Sequence, residues 1–251
     1  MKNLAIIQAR MGATRLPGKV LLKVRGITLL EYEVERVRQS KKIHKIVVAT
    51  TNQKPDDQIE KLCQRIGLDC FRGSEEDVLD RYYQCSLKYP DYDNIVRITG
   101  DCPLIDPEVV DQVIGLFEEN DLDYASNIEE ETYPDGMDVE VFKRTVLAEA
   151  DAKAKLQSER EHVTQYIRKN TSYHKGNLAA EQDFSRFRLT VDNQEDFPVI
   201  EFIIKNSNPS DGFRKYITLL MDNPEVMKKN IHLIRNEGLK KSLKQDYQIK
   251  K

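Results

Sequence analysis

A doubly wound, mostly parallel α/β sheet is the fold predicted by this sequence of 251 residues. Three apolar runs carry the prediction: Leu4-Ala5-Ile6-Ile7, Ile46-Val47-Val48-Ala49 and Ile95-Val96-Arg97-Ile98. They are continuous or nearly so, as strands covered on both faces require. Helical patterns separate them, and a basic turn with two glycines follows the first run directly.

After the first run, Thr28 caps a helix, with Glu31 three residues on and Leu30, Val34 and Val37 along its stripe. Ile59, Leu62, Cys63 and Ile66 mark the next helix at i, i+3, i+4, i+7. A third is expected from near Ser74 to about Leu87. Asp106 caps a fourth, with Pro107 at its first position and Val110, Val113, Ile114 and Phe117 as its stripe. The second half is less regular. Val139 to Phe142 reads as a strand, and Ser158-x-x-Glu161 opens a helix holding Val163, Tyr166 and Ile167. Residues 186–191 read as a half-buried strand ending at Asp192, with Phe187, Leu189 and Val191 on one side. From Glu195 the pattern is helical. The expectation is one domain, 1–251, with an excursion at about 125–180 and a helical tail at about 205–251. Loops 10–19, 50–56 and 100–106 then meet at the carboxyl ends of the strands, where such sheets bind ligands.

A chain this long can bury roughly 70–75% of its unfolded surface without staples. Charged residues make up 32% at a net charge of -3, which argues against a general nucleic-acid coat and a disordered tail. The charge is uneven. Residues 1–45 hold eleven Lys or Arg against three Glu, which suits an anionic ligand. Residues 101–161 hold eighteen Asp or Glu against five Lys or Arg, which suits a cation beside solvated faces. Cysteines 63, 70, 85 and 102 form no Cys-x-x-Cys pair and read as free thiols. The first apolar run is too short for a signal peptide or a membrane span. The expected location is the cytoplasm, without membrane or nucleic-acid partners.

The turn after the first run is Gln8-Ala9-Arg10-Met11-Gly12-Ala13-Thr14-Arg15-Leu16-Pro17-Gly18-Lys19. Two glycines allow close approach of backbone to ligand, and successive N–H groups in such a turn form an anion nest. Arg10, Arg15 and Lys19 together balance much of a triphosphate's charge. Five residues between Gly12 and Gly18, and Val20 after Lys19, exclude a Walker A loop. Gly100-Asp101-Cys102-Pro103-Leu104-Ile105-Asp106 follows the third run, and a second carboxylate, Asp192, stands in Thr190-Val191-Asp192-Asn193. Mg2+ takes one or two carboxylates plus phosphate oxygens and waters. Bare carboxylates about 4 Å apart repel by roughly 1 kcal/mol in water and about 4 at an intermediate dielectric, so the pair needs a cation if it meets.

The run from Ala9-Arg10 through Thr14-Arg15-Leu16-Pro17-Gly18-Lys19 resembles the signature of the CMP-sugar synthetases, above all the spore-coat polysaccharide biosynthesis cytidylyltransferases. CMP-Kdo synthetase and acylneuraminate cytidylyltransferase are similar. Gln8 stands where CMP-Kdo synthetases carry Pro. The resemblance implies a Rossmann-like, nucleotide-diphospho-sugar transferase-like sheet, with the excursion used for acceptor binding and dimerisation. It implies CTP phosphates on Arg10, Lys19 and the backbone from Gly12 through Ala13 to Thr14, with Ala9 and Met11 in the same run. It implies Mg2+ on Asp101 and Asp192, and nucleotide contacts from Arg72 and Ser74. Tyr133-Pro134-Asp135-Gly136-Met137-Asp138-Val139-Glu140 and Ser158-Glu159-Arg160-Glu161-His162 resemble the spore-coat family too. They imply acceptor contacts at Asp138, Glu140 and His162; either Arg186 or Arg188 meets an acceptor carboxylate. Arg10, Lys19, Asp101 and Asp192 are the expected catalytic set. The implied reaction moves CMP from CTP to the hydroxyl of an acidic sugar or similar acceptor, in a homodimer. Two rivals are a glycosyltransferase, whose usual Asp-x-Asp is lacking at Asp101-Cys102, and a non-catalytic nucleotide or sugar sensor.

Overall fold

The computed structural model describes residues 1–249. Its elements run β1 (Asn3–Gln8), β2 (Lys23–Val24), β3 (Ile27–Thr28), α1 (Leu29–Val37), β4 (Lys45–Thr51), α2 (Asp57–Arg65), β5 (Asp69–Gly73) and α3 (Val78–Leu87). Then come β6 (Asn94–Thr99), α4 (Pro107–Glu119), β7 (Tyr124–Ser126), β8 (Glu140–Lys143), α5 (Arg144–Lys153), α6 (Gln157–Glu161), α7 (Gln165–Lys169) and β9 (Lys175–Asn177). Four helices follow: α8 (Asp196–Asn206), α9 (Phe213–Asp222), α10 (Pro224–Met227) and α11 (Glu237–Ile249).

Seven strands form the main sheet in the order β5-β4-β1-β6-β8-β7-β9. β5, β4, β1 and β6 are parallel. β8 fills the gap between β6 and β7 antiparallel to both, so it alone runs against the rest. Because side chains alternate across a strand, Ala5 and Ile7 join one core with α1, α2 and α4, while Leu4 and Ile6 join another with α3, α5 and α7. A third core unites α8, α9 and α10 with Phe187, Leu189 and Val191. The local logic is legible: Thr28 accepts from the Glu31 N–H at 3.3 Å, and Asp106 accepts from the Glu108 N–H at 3.0 Å beside Pro107. No described helix is long and apolar enough to cross a membrane.

Three local expectations need correction. The third helix starts at Val78, because Asp77 caps it; Ser74 instead holds the Asp77 N–H in a turn. Residues 69–73, to which the sequence pattern assigned no element, form the edge strand β5. Glu159 rather than Ser158 or Glu161 closes the start of α6, accepting from the Lys155 and Leu156 N–H groups, and Val163 at φ 60° splits the expected helix into α6 and α7. In residues 186–191, Arg186 belongs to a turn and Arg188 makes an isolated bridge to Asp135, so no ladder strand forms there. Phe187, Leu189 and Val191 are buried on one side as their alternation implies; Arg188 and Thr190 are buried too, because the segment is covered on both sides.

Candidate active site

A cleft of about 850 Å³ opens at the carboxyl ends of β1 and β6. Its floor comes from the ends of these strands: Gln8 and Ala9, Thr99, and the turn of Gly100 and Asp101. Gly100 is required for that floor. A Cβ there would stand 2.8 Å from the Gln8 carbonyl oxygen.

The loop of residues 10–19 is held by Asp56, at the end of the loop after β4. The Met11 N–H donates to its Oδ1 at 2.6 Å, while Thr51 Oγ1 bonds its other oxygen. Gly18, at φ 72°, turns the chain so that its N–H reaches the Met11 carbonyl at 2.9 Å. Among the described residues, the N–H groups of Gly12, Ala13, Thr14 and Arg15 have no protein acceptor. Ala13, Thr14 and Arg15 of these line the cleft, with Gly12 next to them in the loop, which suits an anion.

Asp101 and Asp192 do converge. Val191 donates its N–H to the Asp101 carbonyl at 2.9 Å, and Thr190 Oγ1 donates to the same oxygen at 3.0 Å. Between the two carboxylates lies the Lys19 ammonium, 2.9 Å from Asp101 and 2.5 Å from Asp192. Arg15 reaches Asp192 from the other side at 3.0 Å. Burial works against the charge on Lys19, but the two aspartates outweigh it and hold its pKa well above the ordinary lysine value. Burial likewise opposes ionisation of Asp101, and Lys19 overrides it and holds the carboxyl far below its usual range. Asp192 is itself positioned from below. Buried Asp196 accepts from the N–H groups of Asp192 and Asn193 at 2.9 and 2.8 Å and is gripped by Arg188 and Asn230.

The pair has the chemistry of a divalent-cation site. An ammonium already stands where a cation would sit, and no described group of three or more His, Cys, Asp or Glu side chains offers a richer ligand set. Two carboxylates suit Mg2+ or Mn2+, which complete their shell with phosphate and water oxygens, better than a protein-enclosed zinc.

The far wall carries Asp138, Glu140, His162 and Gln165. Glu140 is anchored there: Arg97 and the Tyr124 hydroxyl bind its carboxylate, and Arg97 overrides burial to keep it ionised. Asp138 accepts from Arg235 at 2.5 Å and is part exposed to the cleft. His162 Nε2 lies 3.0 Å from Ser242 Oγ, and burial lowers its pKa, which favours the neutral ring.

Of the residues expected at the site, Ala9, Arg10, Ala13, Thr14, Lys19, Asp101, Asp138, Glu140, His162 and Asp192 line the cleft. Five do not. Met11 spends its N–H on Asp56, and the Gly12 side faces Glu75. Arg72 is tied down by Asp57, Glu60 and the carbonyls of Thr51 and Gln53. Ser74 serves the turn before α3. Arg188 is buried on Asp135 and Asp196 and supports Asp192 instead of an acceptor. Sequence reasoning missed Asp56, Arg97, Thr190 and Asp196. An Asp four positions after Asp192, at the mouth of a helix, was the one available signal for Asp196.

A family model described as Cytidylyltransferase matches residues 4–243. The chain is 37% identical to the spore coat polysaccharide biosynthesis protein SpsF of Bacillus subtilis, over 89% of this chain and 95% of that protein. It is 31% identical to the 3-deoxy-manno-octulosonate cytidylyltransferase of Chlamydia trachomatis serovar A, over 54% of each. Among solved structures it resembles a cytidylyltransferase from Leptospira borgpetersenii at a TM-score of 0.87 and 35% identity, covering 92% of this chain and 98% of that one.

Proposed function

The chain belongs to the cytidylyltransferase family, and on that premise we propose that it transfers CMP from CTP to a hydroxyl of an acidic sugar, releasing pyrophosphate, in the synthesis of a surface polysaccharide or glycoconjugate. The observation that carries the reading is the Lys19 ammonium clasped by Asp101 and Asp192 beside a loop with four uncommitted N–H donors.

Asp101 and Asp192 are the residues that would hold Mg2+. A divalent ion held there would supply charge withdrawal from phosphate oxygens. The chain's own groups do the rest. The N–H groups of residues 12–15, with Arg10 and Lys19, bind and orient the triphosphate. Asp138 and His162, on the opposite wall, present hydrogen-bonding groups to an acceptor. An acceptor oxygen held in line forms a bond to the α-phosphorus, the bond from that phosphorus to the bridging oxygen breaks, and pyrophosphate leaves. The hydroxyl proton is lost to water. Positioning and charge stabilisation supply most of the catalysis in such a scheme.

The cytoplasm remains the proposed location; four free cysteines suit a reducing compartment. A homodimer through the excursion belongs to the same proposal, and β9 leaves an outer strand edge there whose role sedimentation measurements would test.

The decisive experiment offers four nucleoside triphosphates, each with Mg2+, to a panel of ulosonic acids, uronic acids and sugar phosphates, and reads pyrophosphate. Release is expected with CTP and an acidic sugar, and Asp101→Ala should abolish it. Mg2+-dependent turnover retained in Asp101→Ala would overturn the metal assignment.

A further inference from the structure

Helix α11 crosses the mouth of the cleft. One of its faces is docked: Ser242 Oγ donates to Glu161 at 2.8 Å and meets His162, and Asp246 accepts from the Ser158 N–H at 3.3 Å. Ser242 and Asp246 are both buried although they are polar; Ser242 is hydrogen-bonded, whereas one Asp246 oxygen and the Ser158 hydroxyl have no partner among the described residues. The first turn is pinned to the phosphate loop, where Glu237 pairs with Arg15 at 2.6 Å. Glu237, Lys240, Lys241 and Lys244, at i, i+3, i+4 and i+7, border the cleft.

The cleft's positive charge is mostly committed. Lys19 and Arg15 serve Asp101, Asp192 and Glu237; Arg97 serves Glu140; Arg168 serves Glu129. Arg10, 3.5 Å from Glu75, stands in the phosphate loop on the β4–β5 side. Lys240, Lys241 and Lys244 pair with no carboxylate among the described residues. Lys241 and Lys244 border the same cleft as Glu161 and His162, the two residues that meet Ser242 of the same helix.

We infer that Lys241 and Lys244, on helix α11, form the subsite for the acidic group of the acceptor, a carboxylate or a phosphate, while the loop of residues 10–19 keeps the triphosphate. The inference rests on the proposed CMP transfer to an acidic acceptor and adds the residues that read the acid. Two ammonium groups a turn apart are point charges on flexible stems. They match an anion without demanding the planar fork geometry that arginine imposes. The same helix bridges the phosphate loop and the far wall, so binding of the acceptor acid holds both ends of the cleft together.

The test measures pyrophosphate release by the full chain with CTP against 3-deoxy-manno-octulosonate, the same sugar with its carboxyl reduced to an alcohol, and a hexose 1-phosphate. Lys241→Ala/Lys244→Ala is expected to raise KM for the acidic acceptor about tenfold or more, with KM for CTP within about twofold. The carboxylate and phosphate arms say which acid is read. A rise in KM for CTP with acceptor KM unchanged overturns the inference, because the lysines then serve the triphosphate. Equal wild-type use of the acid and its reduced alcohol overturns it too. Absence of release with every acceptor defeats the proposed transfer, and the subsite is then decided separately by acetylation rates of Lys241 and Lys244 in CTP-saturated protein. Slowing by the sugar acid and not by the alcohol supports the subsite; equal rates overturn it.

Discussion

Replacing Lys19 with methionine keeps much of the side chain's bulk and removes the one cation paired with Asp101 among the described residues. Asp192 keeps Arg15 at 3.0 Å, so the loss falls unevenly on Asp101. The Lys19 side chain is 10% exposed and that of Asp101 23%. Breaking a buried pair by removing one partner costs about 3–5 kcal/mol. Partial exposure of Asp101 places this case near the lower end, about 3 kcal/mol. In a protein of this size each kcal/mol moves the midpoint by roughly 2–4 °C, so Lys19→Met should lower Tm by about 6–12 °C in chelated buffer. Millimolar Mg2+ or Mn2+ should restore much of that loss in the variant and much less in the wild type, because a divalent ion then takes the ammonium's place between the carboxylates. Differential scanning calorimetry with and without chelator reads both effects. A variant whose Tm deficit ignores divalent ions would refute the idea that the two aspartates form a cation site.

Two further outcomes follow from the same geometry. Gly136, at φ 102°, lets residues 134–137 pass the segment before Asp192; a Cβ would stand 2.6 Å from the Leu189 carbonyl carbon and 2.8 Å from the Thr190 nitrogen. Gly136→Ala should cost about 1–3 kcal/mol and sharply reduce pyrophosphate release, and an unaltered Tm with full activity would show slack at this crossing. Burial, with Asp138 beside it, pushes the Asp135 carboxyl up to about 7 against the pull of Arg188 and Arg235. A carboxyl raised in the folded state contributes stability below its ordinary pKa, and that contribution is lost as pH rises through about 7. Asp135→Asn should therefore flatten the fall of Tm between about pH 4 and 8, and an unchanged slope would assign the titration elsewhere.

Much of the sheet was legible because its strands must be continuously apolar and its helices carry their own caps. Leu4 to Ile7, Thr28 with Glu31, and Asp106 with Pro107 each state a local condition that no distant contact overrides. β5 was not legible: Asp69 to Gly73 is half-buried at the sheet's edge and lacks an apolar run. The helix expected from Ser158 failed because Val163 takes a left-handed turn set by its surroundings. Arg72 misled for a related reason. The resemblance implied a nucleotide contact there, but two acids on α2 hold the guanidinium.

The sequence by itself determined the parallel core, the basic loop after its first strand and the supply of acids at Asp101 and Asp192. These follow from hydrophobic period and local backbone chemistry, which act over a few residues. Only the tertiary structure decided that carboxylates ninety-one positions apart share one ammonium, that buried Asp196 and Arg188 set the second of them, and that a helix near the end of the chain walls the cleft. Such contacts are made through space after the chain has crossed the sheet several times, and nothing in the local pattern around Asp101 records that Val191 will donate to its carbonyl.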